Sequence, residues 1–578
     1  MRRPLHRHRP SRRAVLQALG ALPFLPAVHR ARASAAPAPL TLHISPEGDD
    51  GNDGLSPRTA RRTLTALTDV GAPEGSKILL ERGGTWRETL VAPADGVTIA
   101  AYGDGPDPVI SGADPVTGLA PVGDGSWVAP MAEPTQLFSG DARLERAIAG
   151  APLRIGTWSW AAGTLRVACG EAPPPILEAS VRPFAVDLLG RHGLLLAGLT
   201  IQRAASYGIM ADTLSDGTIA NCRVVAAYVT GISLASAEPR RGLLVEGNRV
   251  EDCGASGIGF GGRFDDVVVR ANTVARCCAL TDGVVPSSSV PSAVFATTGA
   301  IKNWGWGEPG WQGAAFVERN TVTDCVPLSF APNPSEGHGI GIWIDEVVAP
   351  RARYAVRHNV VQRCHSRGIY VEKSDFIDVD YNLVVSCASA RRSGSIALQA
   401  NRYGYDVAAD RPALIARDCT SNRVRHNTVV GGYWGLEAYC EDPGCRLSDN
   451  LVEDNIIVSE DGGGAWLHFA GGGANNGVNG TGNAYHNNCF GPRGGAAWDW
   501  DGRTSASYRG IVVISDGAVA DIVEGSPRFD DPEGGSYRLT ATSPCVDAAR
   551  AAPLAVDLDG RRVPVGAGAD VGAYEFGG

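Results

Sequence analysis

The stretch NVVQRCHSRGIYVEKSDFIDVDYNLVVSC, residues 359–387, holds one full period of a pattern that runs through the centre of the chain. It opens on Asn-x-Val-x-x-Cys, passes through Gly-Ile-x-x-x and closes on the next Asn-x-Val-x-x-Cys. The first pattern recurs at Asn248/Cys253, Asn272/Cys277, Asn320/Cys325, Asn359/Cys364 and Asn382/Cys387, at spacings of 24, 48, 39 and 23 residues. The basic period is therefore near 24 residues, with insertions. The second pattern recurs as GIMAD (208–212), GISLA (231–235), GIGFG (257–261), GIWID (341–345) and GIYVE (368–372). SIALQ (395–399) and GLEAY (435–439) continue it, and AIKNW (300–304) fits with Ala for Gly. Units this short can bury an apolar side only by stacking on their neighbours. The pattern predicts an all-β solenoid, a parallel β-helix, with Asn side chains in amide ladders at the turns. The five repeated Cys are expected as small buried core thiols.

Composition agrees with that reading. The 578 residues include 73 Gly and 37 Pro, with 44 % apolar and 20 % charged residues, which excludes a disordered chain or a coiled coil. Glycines are expected at the corners of the coils. Of 52 basic residues only Lys77, Lys302 and Lys373 are lysine.

Residues 1–13 carry six arginines and no acid, Ala14 to Val28 is apolar, and Ala33-Ser34-Ala35 offers an A-x-A cleavage site. Residues 1–35 therefore read as a secretory signal peptide, and Ser11-Arg12-Arg13-Ala14-Val15-Leu16 as a twin-arginine signal, for a periplasmic or secreted protein. The apolar run is too short to span a bilayer. Removing residues 1–35 takes away eight arginines and no acid, so the formal charge falls from −10 to −18. A protein this acidic is a poor general binder of nucleic acid or anionic membranes.

Alternation in the Gly-Ile-x-x-x strands turns the second and fourth positions inward and the third and fifth outward. The inward set is apolar: Ile209/Ala211, Ile232/Leu234, Ile258/Phe260, Ile342/Ile344, Ile369/Val371, Ile396/Leu398 and Leu436/Ala438. The outward set is bland in the early coils (Ser233/Ala235, Gly259/Gly261) and then becomes Lys302/Trp304, Trp343/Asp345, Tyr370/Glu372, Ala397/Gln399 and Glu437/Tyr439. Exposed Trp and Tyr on a strand surface stack on sugar rings, and carboxylates beside them can do glycosidic chemistry. Asp345 and Glu372 hold the same position in consecutive coils. Stacked strands lie about 4.8 Å apart, so their carboxyl groups can approach the about 5–5.5 Å separation of a retaining glycosidase pair. Like charges this close disfavour double ionisation, so one of the pair is expected to keep a proton and act as general acid. Lys302, Trp304, His338, Trp343, Tyr370, Lys373, Gln399, Glu437 and Tyr439 are the expected substrate contacts. The loops at 279–298, 305–315 and 327–338 are expected to wall one end of the groove, with Trp306 and Trp311 as further contacts.

The opening HISPEGDDGNDGLSPRTARRTLTAL (43–67), the segment VTIAAYGDG (97–105) and the ending DVGAYEF (570–576) resemble right-handed parallel β-helix proteins acting on polysaccharides. The resemblance implies a right-handed parallel β-helix solenoid over nearly all of the mature chain. Residues 36–114 are then an N-terminal cap and first coils, 115–180 a small inserted β-rich subdomain, 181–460 the main helix with the groove, and 461–578 the last coils and a C-terminal cap. GIWID followed 27 residues on by GIYVE is similar to the pattern of β-helical β-xylosidases. That resemblance implies Asp345 as nucleophile and Glu372 as acid/base. The longer loop after Asp345, and Glu346 beside it, depart from the pattern and leave the substrate open. VEKSDFIDVDYN partly resembles the lysine coil of β-helical alginate and chondroitin lyases, which would make Lys373 a proton-abstracting base. Those enzymes present an arginine from the next coil where this chain has Gln399. Three readings follow: a retaining glycoside hydrolase of a poly- or oligosaccharide, a lyase of a uronic-acid polymer, and a non-catalytic carbohydrate-binding helix.

The remaining signals are smaller. DDGNDG (49–54) and DFIDVD (375–380) are acid-rich enough for a structural calcium, but lack the spacing of a calcium loop and read as a turn and a solvated strand. No other cofactor or metal is expected. Cys440 and Cys445, in YCEDPGC, are spaced like a loop disulfide.

Overall fold

The computed structural model describes residues 37–577 apart from 173–175, 306–312, 332–333, 335–336, 349–353, 389–392, 407–410, 441–443, 459–464, 471–480 and 492–496, with the side chains of 402–416, 465–466, 470 and 497 also left aside. The proposed signal sequence and the pair Trp306 and Trp311 thus lie outside the described residues.

The coils are built of strands that pair in parallel with their equivalents one coil away, some of them long enough to run across two faces, such as Ile258–Arg270. The strands that matter for function are the Gly-Ile-x-x-x strands: β1 (Ile258–Arg270), β2 (Gly299–Trp304), β3 (Ile340–Asp345), β4 (Ile369–Glu372), β5 (Gly394–Asp406), β6 (Trp434–Cys440) and β7 (Ala465–Ala470). Their register places Ile258, Ile301, Ile342, Ile369, Ile396, Leu436 and Leu467 in one inward file. All seven join a single apolar core along the axis of the solenoid, because one residue of slip would expose every one of them.

The amide ladder is present. Nδ2 of each Asn donates to Oδ1 of the next, from Asn248 through Asn272, Asn320, Asn359, Asn382, Asn427 and Asn455 to Asn488, at 2.9–3.0 Å. A second ladder, which the Asn-x-Val-x-x-Cys pattern does not mark, joins Asn422, Asn450 and Asn483. Cys253, Cys277, Cys325, Cys364 and Cys387 are buried in the core as expected.

Two expectations need correction. The corners of the main coils are made by non-glycine residues in the left-handed region, such as Arg319, His358 and Tyr381 before the ladder Asn, with φ of 57, 54 and 54°. The glycine of Gly-Ile serves close approach instead: a Cβ on Gly368 would lie 2.4 Å from Val384 Cγ1 and 2.8 Å from the Ser395 carbonyl. The second correction concerns Cys440 and Cys445, which are thiols and not a disulfide. The Cys440 thiol donates to the Cys445 carbonyl at 3.7 Å, and both side chains sit in the axial core.

Residues 113–180 leave the coil path as two small antiparallel-rich sheets around Leu137, Trp158, Leu165, Val167 and Leu177. At the other end the helix Tyr508–Ile514 inserts Ile511 into the axial core. The C-terminal segment then runs back along the outside of the coils, where Tyr537 and Tyr574 pack on Leu383 and Val385.

Candidate active site

Register alone assembles the outer face. Lys302, Trp343, Tyr370, Ala397, Glu437 and His468 form one file across β2 to β7. Trp304, Asp345, Glu372, Gln399 and Tyr439 form the parallel file two residues on. Lys373 follows Glu372 directly. His338 is the exception: it lies buried before β3, seven residues from Asp345, with Nε2 3.7 Å from Asp282 Oδ1.

The face is not an open aromatic platform. Trp343 and Tyr370 are only 5 % and 4 % exposed. Their rings pack on each other at 5.5 Å and on Ile340 and Ala397. The Lys302 ammonium lies 3.6 Å above the Trp343 ring and the Arg367 guanidinium 4.5 Å above Tyr370. Glu437 is likewise buried, held by Arg367 at 3.1 Å and by the Gly394 N–H at 3.0 Å. The half-buried members are Lys302, Trp304, Gln399, Tyr439 and His468. Trp304 lies flat over the early coil, where a Cβ on Gly261 would meet its indole at 2.4 Å. The bland glycines at 259 and 261 therefore make room for an aromatic side chain from the next coil.

Asp345 and Glu372 are direct neighbours in the β3–β4 register, and both are buried. Glu372 is held at both oxygens: Trp343 Nε1–H donates to Oε2 at 3.0 Å and the Asn401 amide donates to Oε1. Asp345 Oδ1 lies 2.9 Å from Lys373 Nζ, which also reaches Glu346 Oε1 at 3.3 Å. Burial alone would depress the Lys373 ammonium, but Asp345, Glu372 and Glu346 outweigh it and hold its pKa above the ordinary lysine value. Burial pushes the Glu346 carboxyl up to about 7, with Lys373 opposing and Asp345 adding to the rise. Burial also raises the Tyr370 phenol, which donates to Gln399 Oε1.

Several of these groups escaped the reading of the sequence. Asn401 continues the outward alternation two residues past Gln399, so extending the pattern along β5 would have found it. Arg367 stands before Gly368, outside the five-residue window. His468 lies beside Glu437 in the file, stacked on Trp434 at 3.8 Å and bonded to Asp499 Oδ2 at 3.0 Å. Its strand AWLHFA has no Gly-Ile to announce it. The 279–298 loop divides its contacts: Thr297 Oγ1 accepts from Lys302 at 3.4 Å, while the Ser288 N–H bonds Glu133 of the inserted subdomain at 3.1 Å.

The acid-rich stretches have protein partners. Asp50 Oδ1 accepts from the N–H groups of Arg62 and Thr63, both at 2.9 Å, inside a turn. Asp380 is buried and not solvated as its strand suggested, because Arg425 grips it at 2.9 Å. Among the described residues no three His, Cys, Asp or Glu side chains converge as metal ligands would.

The family model for a right handed beta helix region matches residues 180–274. A search of curated proteins returns no match. Among solved structures, the complex of XylC with xylose superposes with a TM-score of 0.56 at 12 % identity, covering 93 % of this chain and 98 % of that one. A glycoside hydrolase gives a TM-score of 0.49 at 12 % identity over 83 % and 99 % of the two chains. The lacto-N-biosidase of Eubacterium ramulus gives 0.39 at 14 % identity over 73 % and 64 %. No helix among the described residues is long and apolar enough to cross a membrane. With its parallel coils, amide ladder and axial core, the chain is a right-handed parallel β-helix.

Proposed function

We propose that the protein is a carbohydrate-active enzyme, specifically a retaining glycoside hydrolase with Asp345 as nucleophile and Glu372 as acid/base. The observation that carries this reading is the in-register pairing of Asp345 with Glu372 on adjacent coils, beside two half-buried aromatic residues, Trp304 and Tyr439, able to stack on sugar rings. Asp345 attacks the anomeric carbon as Glu372 gives its proton to the departing glycosidic oxygen. The bond to the leaving group breaks and an ester to Asp345 forms. Glu372, now a carboxylate, takes a proton from water, which cleaves the ester and returns both groups to their starting states. Lys373 gives buried Asp345 a counter-charge, while Trp343 and Asn401 fix the plane of the Glu372 carboxyl. XylC, which shares the fold, was solved with xylose, so pentose glycosides are the first substrates to assay.

The lyase reading needs Lys373 unprotonated. Its ion pairs with Asp345 and Glu346 favour the ammonium, and Gln399 stands where such lyases carry an arginine. Export through the twin-arginine route remains part of the proposal, on the N-terminal sequence alone.

The test is a panel of uronate-free glycans and aryl glycosides, assayed with the wild type, Asp345→Asn and Glu372→Gln. Release of reducing sugar by the wild type, lost in both variants, supports the hydrolase. A product with an unsaturated end absorbing in the near ultraviolet, or unchanged rates in both variants, overturns it.

A further inference from the structure

A cavity lined by none of the outer-face residues lies where the inserted subdomain meets the main helix and the 280–285 segment. It measures about 100 Å³ and is walled by the rings of Trp158, Tyr228 and Phe330. One water takes about 10–15 Å³ of such space, so the cavity has room for a small organic molecule.

Four of its lining residues each hold a fully buried polar atom with no partner in the protein: Thr135 Oγ1, Gln136 Oε1, Arg143 Nε and Arg146 Nη1. Thr135 and Gln136 are 4 % and 2 % exposed. Gln136 is locked in place, its amide N–H groups donating to the carbonyls of Ala204 and Ala226 at 3.0 and 2.8 Å. Its Oε1 is thereby left as a fixed acceptor. Arg143 Nη2 donates to the Asp252 carbonyl at 2.8 Å, but the Asp252 carboxylate is taken by Arg276 at 2.9 Å. Arg143 is thus bonded to a carbonyl rather than to a carboxylate. Arg146 shares its other nitrogen with Glu133 and lies 5.1 Å from the Trp158 ring. Glu145, also in the wall, is bonded by Arg154 at 2.8 Å.

Leaving so many buried polar atoms unpaired is unfavourable, and an under-compensated guanidinium more so. Two guanidinium N–H donors match a carboxylate. A fixed amide oxygen and a hydroxyl match a ligand hydroxyl. We propose that this cavity is a second binding site, taking a small hydroxycarboxylate whose carboxylate meets Arg143 and Arg146 and whose hydroxyl donates to Gln136. An acidic monosaccharide and a shorter hydroxy acid share that chemistry.

Calorimetric titration of the full-length protein with sodium glucuronate, sodium glycerate and glucose separates the sources. Saturable binding of one carboxylate, without binding of glucose, is the expected result, and the carboxylate that binds names the source. Arg143→Gln weakens it about tenfold or more, whereas Asp345→Asn leaves it unchanged because Asp345 does not line the cavity. Should Arg143→Gln fail to fold by circular dichroism, Gln136→Leu takes its place with the same expectation. Failure of both carboxylates to bind, equal binding of glucose, or an affinity insensitive to these variants overturns the proposal. Crystals grown with the ligand that show only water in the cavity also overturn it.

Discussion

Trp343 on β3 donates its indole N–H to Glu372 on β4 at 3.0 Å, so a side chain from one coil orients the carboxyl of the next. The bond lies inside a buried cluster, where a hydrogen bond to an ionisable group is worth about 1.5–3 kcal/mol. Trp343→Phe keeps the ring that packs on Tyr370 and loses only the donor. The variant is expected to lower kcat about tenfold or more with KM near the wild-type value. Its pH–rate profile shifts along the pH axis, which a packing defect alone would leave in place; steady-state kinetics across pH check both.

If Asp345 is the nucleophile, Asp345→Ala loses about 10²–10⁴-fold or more in kcat and is partly rescued by azide. The rescued product is a glycosyl azide of configuration opposite to the substrate, identified by NMR. Activity near the wild-type level without azide would remove Asp345 from the mechanism.

Glu346 has its folded pKa raised from 4.5 to about 7 by burial, against the opposing pull of Lys373. A raised carboxyl adds stability that is complete below the unfolded value and is lost as pH rises through the folded one. Glu346→Gln is therefore expected to melt higher than the wild type above pH of about 7, and at the same temperature below about 4.5, with the difference growing between them. Thermal unfolding at a series of pH values measures it; a gap that widens toward acid would contradict the assignment.

Asn359 stands mid-ladder. Its Oδ1 accepts from both the backbone N–H and the amide of Asn320, and its Nδ2 donates to Val317 and Asn382. Asn359→Ala leaves several buried groups unpaired at about 1–3 kcal/mol each, so a loss of about 3 kcal/mol or more is expected in urea unfolding. Asn359→Asp retains the acceptor but places a charge in a buried row, and should cost at least as much.

The coil repeat was legible because its cause is local and periodic. Alternation with a period of two sorts inward from outward side chains, and an Asn at each turn can pair with its copy one coil away. Register then follows from burial, so the adjacency of Asp345 and Glu372 was legible as well. Other features were not, because they depend on how side chains fold over one another once the coils stack. The burial of Trp343 and Tyr370 comes from Lys302 and Arg367 lying over the rings. Cys440 and Cys445 have a loop-like spacing, yet both side chains lie in the axial core.

Repetition and alternation are properties of the chain, and they set the solenoid, its register and most of the two files of residues on one outer face. Packing in three dimensions decided which of those residues are buried and which half-open. It also decided that Lys373 pairs with Asp345 and Glu346, and that Gln136 and Arg143 of the inserted subdomain meet Tyr228 of the main helix around one cavity. The cavity depends on contacts between segments about 90 residues apart, such as Gln136 with Ala226, where nothing in the local sequence records the partner, and the ion pairs depend on how side chains fold together once the coils stack.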